Sequence, residues 1–147
     1  MNINEVFEHI AQQMQHHSDH LARLVELQAT LVKTEVRGGV DTFAVTSLLN
    51  VAQQIKTADG MLYGFWAFNA GTAIRYLKFY ESMNQPIVGT SRVKIPMGVP
   101  VGSGAVMMSA VGIPFHNGIW AAATTGMADS DTAAPSASEI LLVAFFK

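Results

Sequence analysis

The sequence predicts a mainly β protein: an antiparallel β-sandwich, jelly-roll-like, preceded by an N-terminal α-helix that forms a coiled coil. Three observations predict it. Apolar residues before Arg37 recur with a period of about 3.5, and those after Gly39 with a period of about two. Breaks rich in Gly, Pro, Asn and Ser punctuate the second part and are missing from the first. The chain divides accordingly into an oligomerising helix over residues 1–37, a connector over 38–50 and a β-sandwich domain over 51–147.

The helix comes first. One seam reads Ile3, Ile10, His17, Leu24 and Leu31; the other reads Phe7, Met14, Leu21 and Gln28. Steps that alternate between four and three over about four heptads mark a coiled coil. These nine residues are the expected oligomer interface. No Pro or Gly interrupts the run before Gly38-Gly39, which stops it. At about 1.5 Å per residue the helix is a rod of roughly 45 Å. An amphipathic helix lying on its own domain is the alternative, but a straight helix drifts off a strict heptad seam by about 20° per heptad. Ile, Phe and Met in the first layers favour more than two strands, and a homotrimer is the expected assembly.

Within the helix, "QHHSDH" (Gln15 to His20) holds three of the five histidines. His17 falls on the seam, as a polar layer that sets register, with Gln28 as a second. His16 faces outward and His20 flanks the core. At i and i+4 these two reach a common point, but no further ligand completes a tetrahedral zinc site.

Beyond Gly39, strands are expected at Val51–Thr57, Met61–Phe68, Ile74–Glu81, Arg92–Pro96, Ala105–Ser109, Ile119–Thr124 and Ile140–Phe146. A further short strand is expected at Phe43–Leu48. The breaks fall at "ADG", "NAGT", "SMNQP", "GVPVGSG", "FHNG" and "GMADSDTAAPSAS". Short strands in such number, without a second helical pattern, give an antiparallel sandwich or jelly roll. Both faces of the aromatic strand "MLYGFWAFN" are apolar, with Tyr63, Phe65 and Ala67 on one side and Leu62, Trp66 and Phe68 on the other. Such a strand is central in its sheet or covered by a neighbouring subunit.

Composition narrows the function. Half of the residues are hydrophobic and only 14% are charged, against roughly 25% in an average domain. So small a chain with so little charge implies surface buried against other chains. A net charge of −2 leaves no electrostatic footprint for nucleic acid or an anionic membrane. Cysteine is absent, which excludes disulfides and thiolate metal sites. The N-terminus "MNINEVFEHI" lacks the basic region of a signal peptide, and no run reaches the roughly 18 apolar residues of a membrane span.

No catalytic set emerges. "GSGAVM" (Gly102 to Met107) has a GxG but neither a following helix pattern nor a lysine, so it is no phosphate cradle. His116, beside the Asn117-Gly118 turn, is the only histidine of the β domain, too few for a cupin-type metal site. Asp129 and Asp131 alternate as in a calcium loop, without the glycine and glutamate that such a loop needs. No metal, no cofactor and no enzyme activity are expected.

The stretches "LYGFWAFNAGTAIRYLKFYES", "PIVGT", "VKIPM", "GIPFHNGIWAAATTGMADSDT" and "EILLVAFFK" run in order from Thr57 to Lys147. In them the chain resembles a small β-sandwich domain of tailed-bacteriophage structural proteins. "TTGMADSDT" and the final apolar strand ending in Lys are the most telling parts; the N-terminal helix lies outside the resemblance. It implies a non-enzymatic virion protein, a capsid decoration (cement) or head-fibre subunit, assembled in the host cytoplasm. Its partners would be itself and the major capsid protein or other virion proteins. A tail, neck or fibre protein whose β domain binds host glycans is the alternative. That reading expects Trp66 or Trp120 in solvent among polar neighbours, whereas decoration expects both buried.

Overall fold

The computed structural model describes residues 39–147 throughout. Before them it describes residues 2, 3, 7–9, 12–17, 19, 20, 22 and 23. The chain divides into two units, Met1–Gly39 and Val40–Lys147. In the first, Ile3 and the described residues from Phe7 to Arg23 are helical. No described helix is long and apolar enough to cross a membrane.

The second unit is a sandwich of two four-stranded antiparallel sheets. The strands are β1 (Asp41–Val45), β2 (Gln53–Lys56), β3 (Gly60–Asn69), β4 (Arg75–Glu81), β5 (Ile95–Val99), β6 (Gly104–Phe115), β7 (Ile119–Thr124) and β8 (Ile140–Phe146). One sheet has the order β1-β8-β3-β6 and the other β2-β7-β4-β5. This is the nested order of an eight-stranded jelly roll, in which only β4 and β5 are both consecutive and paired. β1 lies inside residues 38–50 and pairs with β8, and Leu48 just after it is fully buried.

Alternation builds the core. Leu62, Phe65 and Ala67 of β3 and Ile140, Leu142 and Ala144 of β8 meet Leu77 and Phe79 of β4 and Ile119, Ala121 and Ala123 of β7. Phe65 and Phe79 touch across the sandwich, with ring centroids 4.9 Å apart. Each large side chain buried here contributes about 1.5–3 kcal/mol.

Three expectations need correction. Leu62 shares the core face with Phe65 and Ala67, not with Trp66 and Phe68. The pairing of β3 slips between Leu62 and Gly64, where β6 jumps from Ile113 to Met108. β3 also advances two residues, from Leu62 to Gly64, against a single step of β8 from Phe146 to Phe145. This extra residue is a bulge that reverses which face later β3 side chains take. On β6 the residues between Met108 and Ile113 are left without β3 partners, and the strand runs on to Phe115, well beyond Ser109. Gly112 at φ +73° makes the bend, and Val111 beside it stands 81% exposed. Finally, β5 starts at Ile95 and runs to Val99, later than Arg92–Pro96, because Val93 turns instead into a second cluster outside the sandwich core.

One ion pair ties the sheets at their rim. Arg75 of β4 donates from Nε to Glu139 Oε2 at 2.9 Å and from Nη2 to Oε1 at 2.7 Å, and the Ser136 N–H donates to Oε2 at 2.7 Å. Glu139 is nearly buried, so its charge depends on these donors. Arg75 above all, then Ser136, holds the carboxyl below its ordinary value of 4.5 against the opposing pull of burial. A depressed folded value gives stability that is present above about pH 4.5 and is lost as pH falls. Glu139→Gln should therefore cost about 2–4 kcal/mol at pH 7 in urea unfolding, with the gap from the parent closing towards pH 3.

Candidate functional site

The outer surfaces of the two sheets differ in what covers them. On the β2-β7-β4-β5 sheet, the outward residues include Tyr80, Lys78, Trp120 and Ala122, which the chain's own loops cover. Tyr80, Trp120 and Ala122 pack with Ala52, Val93 and Val88 into a second apolar cluster. The Trp120 indole N–H donates to Ser82 O at 2.8 Å. Lys78 is fully buried, and its Nζ donates to Ala128 O at 2.6 Å. The ammonium thus pins the loop "GMADSDT" over the sheet. Burial lowers the Lys78 pKa, while Asp131 and Asp129 pull it back up. Every residue of β7 is buried as a result. Among the described residues the buried Tyr80 hydroxyl has no hydrogen-bond partner.

The outer surface of the β1-β8-β3-β6 sheet has no such covering among the described residues. Cross-strand register sets its rows: Ala44, Val143, Trp66 and Val106 form one, and Thr42, Phe145, Gly64 and Met108 the next. Leu141, Phe68 and Gly104 form a third. No charged side chain stands in these rows. Val106 is 62% exposed, Met108 69% and Trp66 38%. The Trp66 and Phe68 rings stack at 6.2 Å with 22° between planes. Gly104 makes room for the indole, since a Cβ there would meet Trp66 Nε1 at 2.8 Å. This continuous apolar sheet face is the candidate functional site.

Of the expected interface residues, Ile3, Phe7, Met14 and His17 are described, and all are exposed in the isolated chain. Ile10, Leu21, Leu24, Gln28 and Leu31 lie outside the described residues. The helix does bring His16 and His20 together, with their Nε2 atoms 3.1 Å apart and the rings edge-on. Among the described residues no three or more metal-ligating side chains converge.

The remaining candidates take structural partners. The His116 backbone N–H donates to Glu81 Oε1 at 2.7 Å, and Lys94 bridges Glu81 and Pro114 O beneath the Phe115 ring. Glu81, Lys94, Arg92, Val93 and Asn117 line an open recess of about 400 Å³. Asp131 accepts from the Ala133 N–H in its own loop. The GxG at Gly102 and Gly104 leads into strand β6. Trp120 is buried as decoration would require, while Trp66 is partly open among apolar neighbours, which neither reading anticipates. Sequence reasoning missed the face itself. The signal lay in the apolar outward positions of β8 and β6, Leu141, Val143, Phe145, Val106 and Met108.

No protein-family model matches the chain, and no curated protein matches it. Among solved structures, the chain is similar to a protein of the Bacillus endospore appendages, a family of disulfide-linked pili. The two share 13% identity with a TM-score of 0.40, over 73% of this chain and 84% of that one. It is also similar to a chain of the IBDV viral particle, at 12% identity and a TM-score of 0.27. That match covers 73% of this chain and 29% of the other.

Burial raises the Tyr80 phenol from 10.0 to about 12, with Asp129 adding to the shift. A raised folded value gives stability that is whole below pH 10 and lost as pH climbs from 10 towards 12, because the unfolded chain ionises first. Tyr80→Phe forfeits no hydrogen bond and should match or exceed the parent at pH 8. Its advantage should grow at pH 11 by about 1.4 kcal/mol, since that pH lies only about one unit above the unfolded value and still below the folded one. Melting curves at both pH values check this; parallel shifts would show the phenol to be solvated.

Proposed function

We propose that the protein is a non-enzymatic structural subunit of a bacteriophage particle, a capsid decoration or cement protein or a head-fibre subunit. One observation carries the reading: the described apolar seam residues Ile3, Phe7 and Met14 are 68%, 64% and 68% exposed in the isolated chain. A surface helix buries its apolar stripe against something, and a heptad stripe fits a second helix of its own kind. Residues 1–37 then form a trimeric rod through Ile3, Phe7, Ile10, Met14, His17, Leu21, Leu24, Gln28 and Leu31. The rod gathers three sandwiches about one axis, the symmetry of a capsid three-fold position.

The work of such a subunit is mechanical. Apolar contacts at about 25 cal/mol per Å², repeated over several capsomers, stabilise a shell by multivalency and not by one strong contact. The "TTGMADSDT" segment of the phage resemblance serves architecture here, as the loop that caps Lys78. A glycan-binding fibre role draws on the partly open Trp66, but sugar stacking calls for polar groups beside the ring, and its cross-strand neighbours are Val143 and Val106.

Met14→Asp tests the rod. The side chain is exposed in a single chain, so a carboxylate there costs a monomer little, whereas on a helical seam it would be buried and unpaired. Sedimentation should show the variant dissociating at concentrations where the parent stays assembled, with unchanged β-sheet circular dichroism. Equal sedimentation of an assembled parent and variant would show that the rod is not the assembly element.

A further inference from the structure

We infer that the outer face of the β1-β8-β3-β6 sheet is a second homotypic interface, which packs against neighbouring copies of this chain. The inference rests on the trimeric-rod reading, which supplies the neighbour. Its occupant follows from what the face offers. Ala44, Val143, Trp66, Val106, Phe145 and Met108 present neither charge nor, Thr42 aside, a polar side chain. A foreign partner is ordinarily chosen by complementary charge, and there is none here to complement. A face without charge meets its own copy without repulsion.

Size points the same way. Four strands at about 4.8 Å spacing and about five residues at about 3.4 Å give a footprint of roughly 330 Å². That is as large as the largest apolar patch of an ordinary monomer. It is well under the about 800 Å² per partner that holds a free-standing complex together. Alone, the face would not hold two molecules. Chains already joined by a rod meet at effective concentrations of about millimolar, where a patch of this size pairs. The first strand of the sandwich, β1, belongs to this same sheet. The opposite sheet needs no such partner, because its loops already cover it.

The chain has no cysteine, so single-cysteine variants of the full-length protein report on proximity without further changes. Met108→Cys lies on the face and Met83→Cys on an exposed loop, at similar exposures of 69% and 75%. With a short bis-maleimide, Met108→Cys should cross-link between copies roughly tenfold more efficiently than Met83→Cys. Acrylamide quenching gives the second readout. Trp120 is buried in every case, so quenching follows Trp66, which should be protected in the assembled parent and opened by Val106→Asp.

Equal cross-linking of the two variants, with Trp66 open to quencher, would overturn the inference. So would a protected Trp66 without cross-links, which would mean that the chain's own helix or another molecule covers the face. The mass of the parent separates this failure from that of the rod. An assembled parent without the Met108 link removes only the face interface, while a monomeric parent removes both.

Discussion

Two sheets packed face to face bury two of their four surfaces, and the other two meet water unless something covers them. That constraint organises this molecule, because both outer surfaces are apolar. On one, long connections fold back, with Val88 and Val93 over Tyr80 and Trp120 and a loop tied by its carbonyls to the Lys78 ammonium. Burying a lysine is costly, and carbonyl acceptors repay part of the cost. The loop is thus held by the same group that would be most destabilising without it. On the other surface the connections pass elsewhere, and Trp66, Val106 and Met108 remain open.

Under the proposed self-assembly, that difference would account for the composition. A domain that covered both sheets with its own loops would need a charged surface to stay monomeric and dissolved. One that leaves a sheet face and a helix seam to other copies needs fewer charges, and 14% suffices. Among the described residues, ion pairs are used at joints and not as a solvating coat. Arg75 with Glu139 fastens the rim, and Lys94 with Glu81 fastens the β6–β7 turn beside His116. Asp131, which invites a catalytic reading in isolation, accepts from the Ala133 N–H, and at His116 it is the backbone N–H that meets Glu81.

Much of the sandwich is legible in the sequence because alternation and turn residues act locally. Ile119–Thr124 and Ile140–Phe146 coincide with β7 and β8, since clear breaks at "FHNG" and "SAS" bound them. The bulge between Leu62 and Gly64 is not legible: it depends on how many residues the neighbouring strands set opposite this step of β3, a property of pairing between distant segments. That slip reverses Trp66 and Phe68 outward and so creates the candidate face. The covering of β7 escapes for a similar reason, because "WAAAT" reads alike whether a loop or a neighbour lies over its outer side. The heptad seam is legible by period alone, and what it meets is a matter of assembly.

As proposed, this chain is completed by copies of itself. Sedimentation equilibrium of the intact protein at micromolar concentration tests it most directly. The account predicts a mass three times the 15.8 kDa of one chain, unchanged in high salt because apolar contacts hold it. A mass of one chain under those conditions, with the sandwich folded, would contradict it.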